Sequence, residues 1–220
     1  MKLEYRMDYF SESAKTSRYI WPIKNKIYPS REDFVAGDDT AGFISSGFGE
    51  DRNHTGIDLV FKDGTPVYAA ESGIVSFAGC DSKCSEVCDD KCDKGYGKYI
   101  VISHHYGKET LYAHLQEFKI SKGDSVKQGD QIGLVGHTGV AVSATGGTGS
   151  HLHFEIRKYS NPVDPMRYLP DLSLKLLEES EMREQTEKEM EDFNKKIKET
   201  MKEYTPEETD DKTSPEEQKE

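Results

Sequence analysis

TPVYAAESGIVSFA, residues 65–78, reads as two short strands broken by a turn. Residues 65–70 and 74–78 carry β-branched and aromatic side chains, and Glu71-Ser72-Gly73 interrupts them. Outward from this stretch the same texture repeats. KYIVIS (98–103) sets Tyr99 and Val101 against Ile100 and Ile102, which suits a strand covered on both faces. Residues 110–113, 131–135 and 152–157 follow as further short strands among Gly-, Asp- and Ser-containing turns. No helical period precedes about residue 170. The pattern predicts a mostly β chain, a compact antiparallel sheet or sandwich domain.

The flanks differ. Residues 1–20 are polar with scattered aromatics and read as an N-terminal arm, leaving 21–170 for the domain. Met190, Phe193, Ile197, Met201 and Tyr204 recur at three- and four-residue steps, predicting a charged amphipathic helix over 171–204. Its narrow apolar stripe, within 172–204, offers a place for a protein partner or for self-association. TPEETDDKTSPEEQKE (205–220) has almost nothing to bury and is expected to be disordered. Hydrophobic residues make up 34% and charged residues 32%, too polar for 220 residues of one core. Residues 171–220 hold 18 of the 41 acidic and 9 of the 29 basic side chains, so the net charge of -12 belongs chiefly to the tail. No basic patch argues for nucleic acid, and no apolar run is long enough to span a membrane. The first 21 residues lack the apolar stretch of a secretory signal peptide.

Four of the seven histidines stand in chemically informative patterns. In NHTGIDL (53–59), His54 precedes Asp58 by four. In YAHL (112–115), His114 follows a strand. In SHLHFEI (150–156), His151 and His153 are two apart, so a strand points both to one face. Imidazole nitrogen and carboxylate oxygen are zinc ligands. Three of them with an open fourth position make a catalytic site rather than a structural one. Each pattern alone has a plain reading as a surface pair, a cap or a hydrogen-bonded pair; their combination is more specific.

The flanking residues resemble the lysostaphin-like, LytM-type zinc endopeptidases of peptidoglycan. The resemblance runs from about Trp21 to Leu169. It includes WPI, ISSGFGEDRNHTGIDL, GTPVYAAESGIVSFAG, GYGKYIVISH, TLYAHL, GDSVKQGDQIGLVGHTG, TGSHLHFEIR and NPVDPMRYLP in the family's order. It implies a β domain with one zinc ion held by His54, Asp58 and His153, and with His151 and His114 acting on the water and the transition state. A carboxylate and two neutral imidazoles leave such a site net positive, able to acidify water and polarise a carbonyl. His151, sharing a strand face with His153, is assigned as the base, and His114 as a hydrogen-bonding partner of the water or oxyanion. The expected substrate is a peptide bond of the wall, whether a glycine bridge, a D-Ala cross-link or a stem peptide. That work would be extracytoplasmic or wall-associated. The competing reading is a non-catalytic wall-binding or amidase-activating module on the same fold. Among the other histidines, His104 reads as structural, His105 replaces a small residue, and His137 sits in a loop that can reach substrate.

Two features depart from the family. CDSKCSEVCDDKC (80–92) is a Cys-rich insertion over 80–93. Cys80, Cys84, Cys88 and Cys92 allow three disulfide pairings, of which nested Cys80–Cys92 and Cys84–Cys88 is geometrically simplest. A four-thiolate metal site is the rival, although even four-residue steps are not the usual paired zinc spacing. VAVSATGGTGS (140–150) is a longer loop than usual before His151, so substrate preference does not carry over.

Overall fold

β11 (His151–Lys158) lies in the middle of the larger sheet and explains how the molecule is layered. The computed structural model describes residues 18–34, 40–50, 53–84, 95–141, 149–172, 185–193 and 195–196. The strands before β11 are β1 (Ile27–Tyr28), β2 (Gly42–Ser46), β3 (Ile57–Val60), β4 (Pro66–Tyr68), β5 (Gly73–Cys80), β6 (Lys98–Ser103), β7 (Lys108–Ala113), β8 (Leu115–Phe118), β9 (Ser125–Val126) and β10 (Gln131–Val135); β12 (Asn161–Val163) follows it. One sheet runs β1-β2-β3-β11-β7-β6-β5-β9, with β12 also paired to β11. The other runs β4-β10-β8. All pairings are antiparallel except β1 with β2.

The mostly β expectation holds, with one refinement. The Glu71–Gly73 break does not close a hairpin, because β4 and β5 belong to different sheets. Alternation along the strands then sorts the side chains. Leu152, Phe154 and Ile156 of β11, Ile57 and Leu59 of β3, and Ile100 and Ile102 of β6 join Val67, Ile132 and Val135 of the smaller sheet in one buried core. Burying each such side chain contributes about 1.5–3 kcal/mol. Tyr19 and Leu172, just outside the 21–170 span, also lie in this core. Trp21 Nε1 donates to the Pro170 carbonyl at 2.9 Å, tying the two ends of the domain together.

The opposite face of the larger sheet carries His151, His153, Glu155 and Arg157 of β11. A smaller apolar cluster of Val101, Leu111 and Ala113, flanked by Phe77, Tyr96 and Tyr99, packs separately from the main core. Cys80 and Cys84 are both disulfide-bonded, which removes them from a thiolate metal site. Cys88 and Cys92, and with them the pairing, lie outside the described residues.

The chain divides after Leu176 into two units. In the second, residues 185–193 and 195–196 are helical, and Met190 and Phe193 are exposed at 59% and 60%. Ile197, Met201, Tyr204 and the expected disordered tail lie outside the described residues. Among the described residues no helix is long and apolar enough to cross a membrane.

Candidate metal centre

Register brings the first two groups together. β11 pairs with β3 so that His153 stands directly opposite Asp58, and directly opposed side chains on one face are neighbours. Such close approach requires Gly56: a β-carbon there would sit 2.3 Å from the Phe154 carbonyl oxygen and 3.0 Å from His153 Cε1. His54 enters from the turn before β3, behind Asn53, whose φ of 58° is tolerated better by Asn than by most residues. His54 Nε2 lies 3.1 Å from Asp58 Oδ1 and 3.1 Å from His153 Nδ1. His153 Nδ1 lies 2.8 Å from Asp58 Oδ1. A tetrahedral zinc with bonds of about 2.0–2.1 Å spaces its ligand atoms about 3.3 Å apart, so this triangle fits such an ion with little adjustment.

The outer nitrogens of both imidazoles are committed elsewhere. His54 Nδ1 is 2.8 Å from the Gly47 carbonyl oxygen. A carbonyl only accepts, so Nδ1 carries the hydrogen and Nε2 presents its lone pair. His153 is set the other way round. Glu155 Oε1, 3.0 Å from its Nε2, accepts a hydrogen there, while Nδ1, 2.8 Å from Asp58 Oδ1, carries a proton in the metal-free chain and would turn its lone pair to a bound ion. Two imidazole nitrogens and a carboxylate oxygen therefore converge on one point, an arrangement that calls for a cation. The proton affinities express that demand. Burial would lower His153, yet the Asp58 and Glu155 carboxylates lift it to about 9. The hydrogen bond to Asp58 raises His54. Burial would raise Asp58, but bonds from His153 and His54 hold it well below the usual carboxylate range. His54, Asp58 and His153 can together hold a metal ion.

His114 is the single residue between β7 of the larger sheet and β8 of the smaller one, and its φ of 60° makes that turn. The unfavourable backbone is fixed by its N–H, which donates to the Tyr96 carbonyl at 3.0 Å. Its ring Nδ1 donates to the Thr138 carbonyl at 2.7 Å. Burial, then the neighbouring His151 and His153, pushes His114 down to about 3, so it stays neutral with a bare Nε2. His151 repeats the device, its Nδ1 donating to the Gly149 carbonyl at 2.6 Å. The two rings lie 4.5 Å apart, centroid to centroid, and His151 Nε2 is 3.9 Å from Asp58 Oδ1.

All five expected residues thus meet on one face. Sequence reasoning missed the carboxylate behind them. Glu155 is 0% exposed and accepts from Thr55 Oγ1 (2.6 Å), Tyr96 Oη (2.7 Å) and Arg157 Nε (2.6 Å) as well as from His153. Burial would raise it, yet bonds from His153, Thr55, Tyr96 and Arg157 hold it at about 2. The alternation in HLHFEIR, carried two residues further, places it on the histidine face. His104 is buried between the Ser72 carbonyl and Thr110, as its structural reading expects. His105 is exposed, and His137 bonds Asp63 rather than joining the His54, Asp58 and His153 cluster.

Comparison with known proteins adds an independent line. Peptidase family M23 matches residues 52–165, more than half of the chain. The DD-carboxypeptidase/endopeptidase Mpg of Neisseria meningitidis serogroup B is 41% identical over 115 residues, covering 52% of this chain and 22% of that protein. The murein hydrolase activator NlpD of Salmonella typhimurium is 29% identical over 160 residues, covering 73% of this chain and 33% of that protein. The solved structure of lysostaphin from Staphylococcus simulans is similar at 30% identity and a TM-score of 0.46, covering 57% of this chain and 48% of that one. The chain therefore spans a third or less of these two curated relatives.

Proposed function

We propose that this chain, which belongs to peptidase family M23, is a zinc endopeptidase that hydrolyses peptide bonds in bacterial peptidoglycan. The observation carrying this reading is the convergence of two imidazole nitrogens and one carboxylate oxygen, with the His114 and His151 imidazoles alongside. His54 Nε2, Asp58 Oδ1 and His153 Nδ1 would hold the ion. When bound, zinc supplies Lewis acidity that acidifies a water and polarises the scissile carbonyl.

The remaining steps belong to the protein. The Gly47 carbonyl and Glu155 keep the ligand imidazoles oriented so that their lone pairs turn to a bound ion. His151 Nε2 takes a proton from the attacking water as the C–O bond forms. It returns that proton to the departing amine as the C–N bond breaks. His114 Nε2, bare and neutral, accepts a hydrogen bond from the water. Without a hydrogen of its own it does not donate to an oxyanion, so acceptance is the role its burial favours.

The endopeptidase in the name of the Mpg relative supports the reaction class, and murein in the name of the NlpD relative supports the substrate. The latter also supports a second reading, a non-catalytic activator of another wall hydrolase. An extracytoplasmic or wall-associated setting is supported by the disulfide-bonded Cys80 and Cys84, which persist in oxidising compartments. Digestion of purified walls separates the two readings. The hydrolase is expected to release fragments with new amine and carboxyl ends, identified by mass spectrometry, to stop in excess chelator and to recover with zinc. His151→Ala is expected to lose cleavage while retaining about one zinc per chain. Walls left intact by the zinc-loaded protein, but opened when a second hydrolase is added, would establish the activator instead.

A further inference from the structure

Residues 62–65 turn the chain from β3 into β4, with Gly64 at a φ of +82°. This turn is unusually well fastened. Thr65 Oγ1 donates to the Lys62 carbonyl at 2.8 Å. Gly64 N donates to the Val135 carbonyl at 2.9 Å, and Val135 N to the Thr65 carbonyl at 2.8 Å, locking the turn to β10. Asp63 projects its carboxylate from this platform toward two residues far along the chain. Its Oδ1 accepts from Ser150 Oγ at 2.7 Å, and its Oδ2 from His137 Nδ1 at 2.9 Å.

His137 and Ser150 are the two stems of the excursion between β10 and β11. Just outside them, Gly136 and His151 form an isolated bridge, with His151 N donating to the Gly136 carbonyl at 3.2 Å. Ser150 lies between Gly149, whose carbonyl holds the His151 ring, and His151 itself. Fixing the Ser150 side chain therefore fixes the peptides that aim that imidazole. The two arms are unequal. The His137 side chain is 46% exposed, where solvent screening leaves such a pair weak. Ser150 is buried, where a hydrogen bond to a charged acceptor is stronger and its loss is felt more.

We infer that Asp63 is a positioning residue that, through Ser150, holds His151 in register with the metal cluster. This rests on the hydrolase reading above, in which His151 transfers the proton. Proton transfer is sensitive to placement, and a displacement near 1 Å can cost about a hundredfold in rate. Asp63 touches neither metal ligand nor reacting atoms, so its effect belongs in kcat and not in metal content.

The test uses the zinc-loaded chain of 220 residues. Asp63→Ala and Ser150→Ala are each expected to lower kcat on soluble wall peptides about tenfold or more, with KM and zinc per chain unchanged. The double variant is expected to be no worse than either single one. Asp63→Asn keeps an oxygen for Ser150 and is expected to recover most of the rate. In all of them the unfolding midpoint reports whether the fold survives. The His151 Nδ1 proton, followed by NMR on protein with labelled histidine, is expected to be protected in the parent and to exchange rapidly in Asp63→Ala. Undiminished kcat in Ser150→Ala, multiplying effects in the double variant, or loss of zinc in Asp63→Ala would overturn the inference. If the parent chain cleaves nothing, the hydrolase reading fails and the NMR measurement decides alone: a His151 Nδ1 proton equally protected in parent and Asp63→Ala refutes the clamp.

Discussion

Glu155 shows how much of the centre lies behind its ligands. A metal-bound imidazole is aimed by whatever its other nitrogen touches, and His153 touches a fully buried carboxylate. Four donors stabilise the anion, so the charge persists without solvent. Glu155→Gln would place amide hydrogens among groups that are themselves donors and remove the negative charge behind His153. Metal affinity is expected to fall about 10- to 100-fold, measured by competition with a chromogenic chelator. An unchanged affinity would reduce Glu155 to a structural anchor. The pattern was legible in part: the two histidines of HLH are visible as site candidates, His153 as a ligand and His151 as the base. Glu155 looks like an ordinary exposed strand carboxylate until Thr55 and Tyr96, 100 and 59 positions away, are seen to reach it.

At the scale of elements, the junction of β3 with β11 does the assembling. Gly56 allows the two backbones to close, and Gly56→Ala drives a β-carbon into the Phe154 carbonyl. The expected loss is roughly 1–3 kcal/mol, read from urea denaturation, with weakened metal binding because Asp58 and His153 are pushed apart. On the β5–β7 side, His104 joins the Ser72 carbonyl to Thr110. Burial holds its proton affinity below the ordinary value for histidine. The unfolded chain therefore takes up a proton near pH 6.5 that the folded chain refuses. Stability from this site is complete above about pH 6.5 and is lost as the pH falls from there toward the depressed folded value. Urea midpoints at pH 7 and pH 5 are expected to differ less in His104→Gln than in the parent. Strand existence was legible here from alternation; the division of β4 and β5 between two sheets was not, since a turn motif does not say which neighbour a strand will choose.

For the whole molecule, the boundary after Leu176 separates a unit with a buried core from one whose helix exposes Met190 and Phe193. Because Leu172 belongs to the core, a truncation that respects the structure ends at 176 rather than 170. Removing residues 177–220 is expected to leave the thermal midpoint and wall hydrolysis of the remainder unchanged. A hydrodynamic radius that falls by more than the lost mass explains would show that the apolar stripe within 172–204 joins copies of the chain.

Composition and periodicity by themselves determined that the chain is mostly β, that charge gathers beyond residue 170, and that four histidines and Asp58 sit where strands and turns can present them. These are local properties, set by side-chain volume, alternation and charge along a few residues. Only the tertiary structure decided which nitrogen of each imidazole faces inward, that Glu155 and Asp63 stand behind His153 and His151, and that His114 is the hinge between two sheets. Hydrogen-bond partners are chosen by register and packing across a hundred residues or more, and no local pattern encodes that choice.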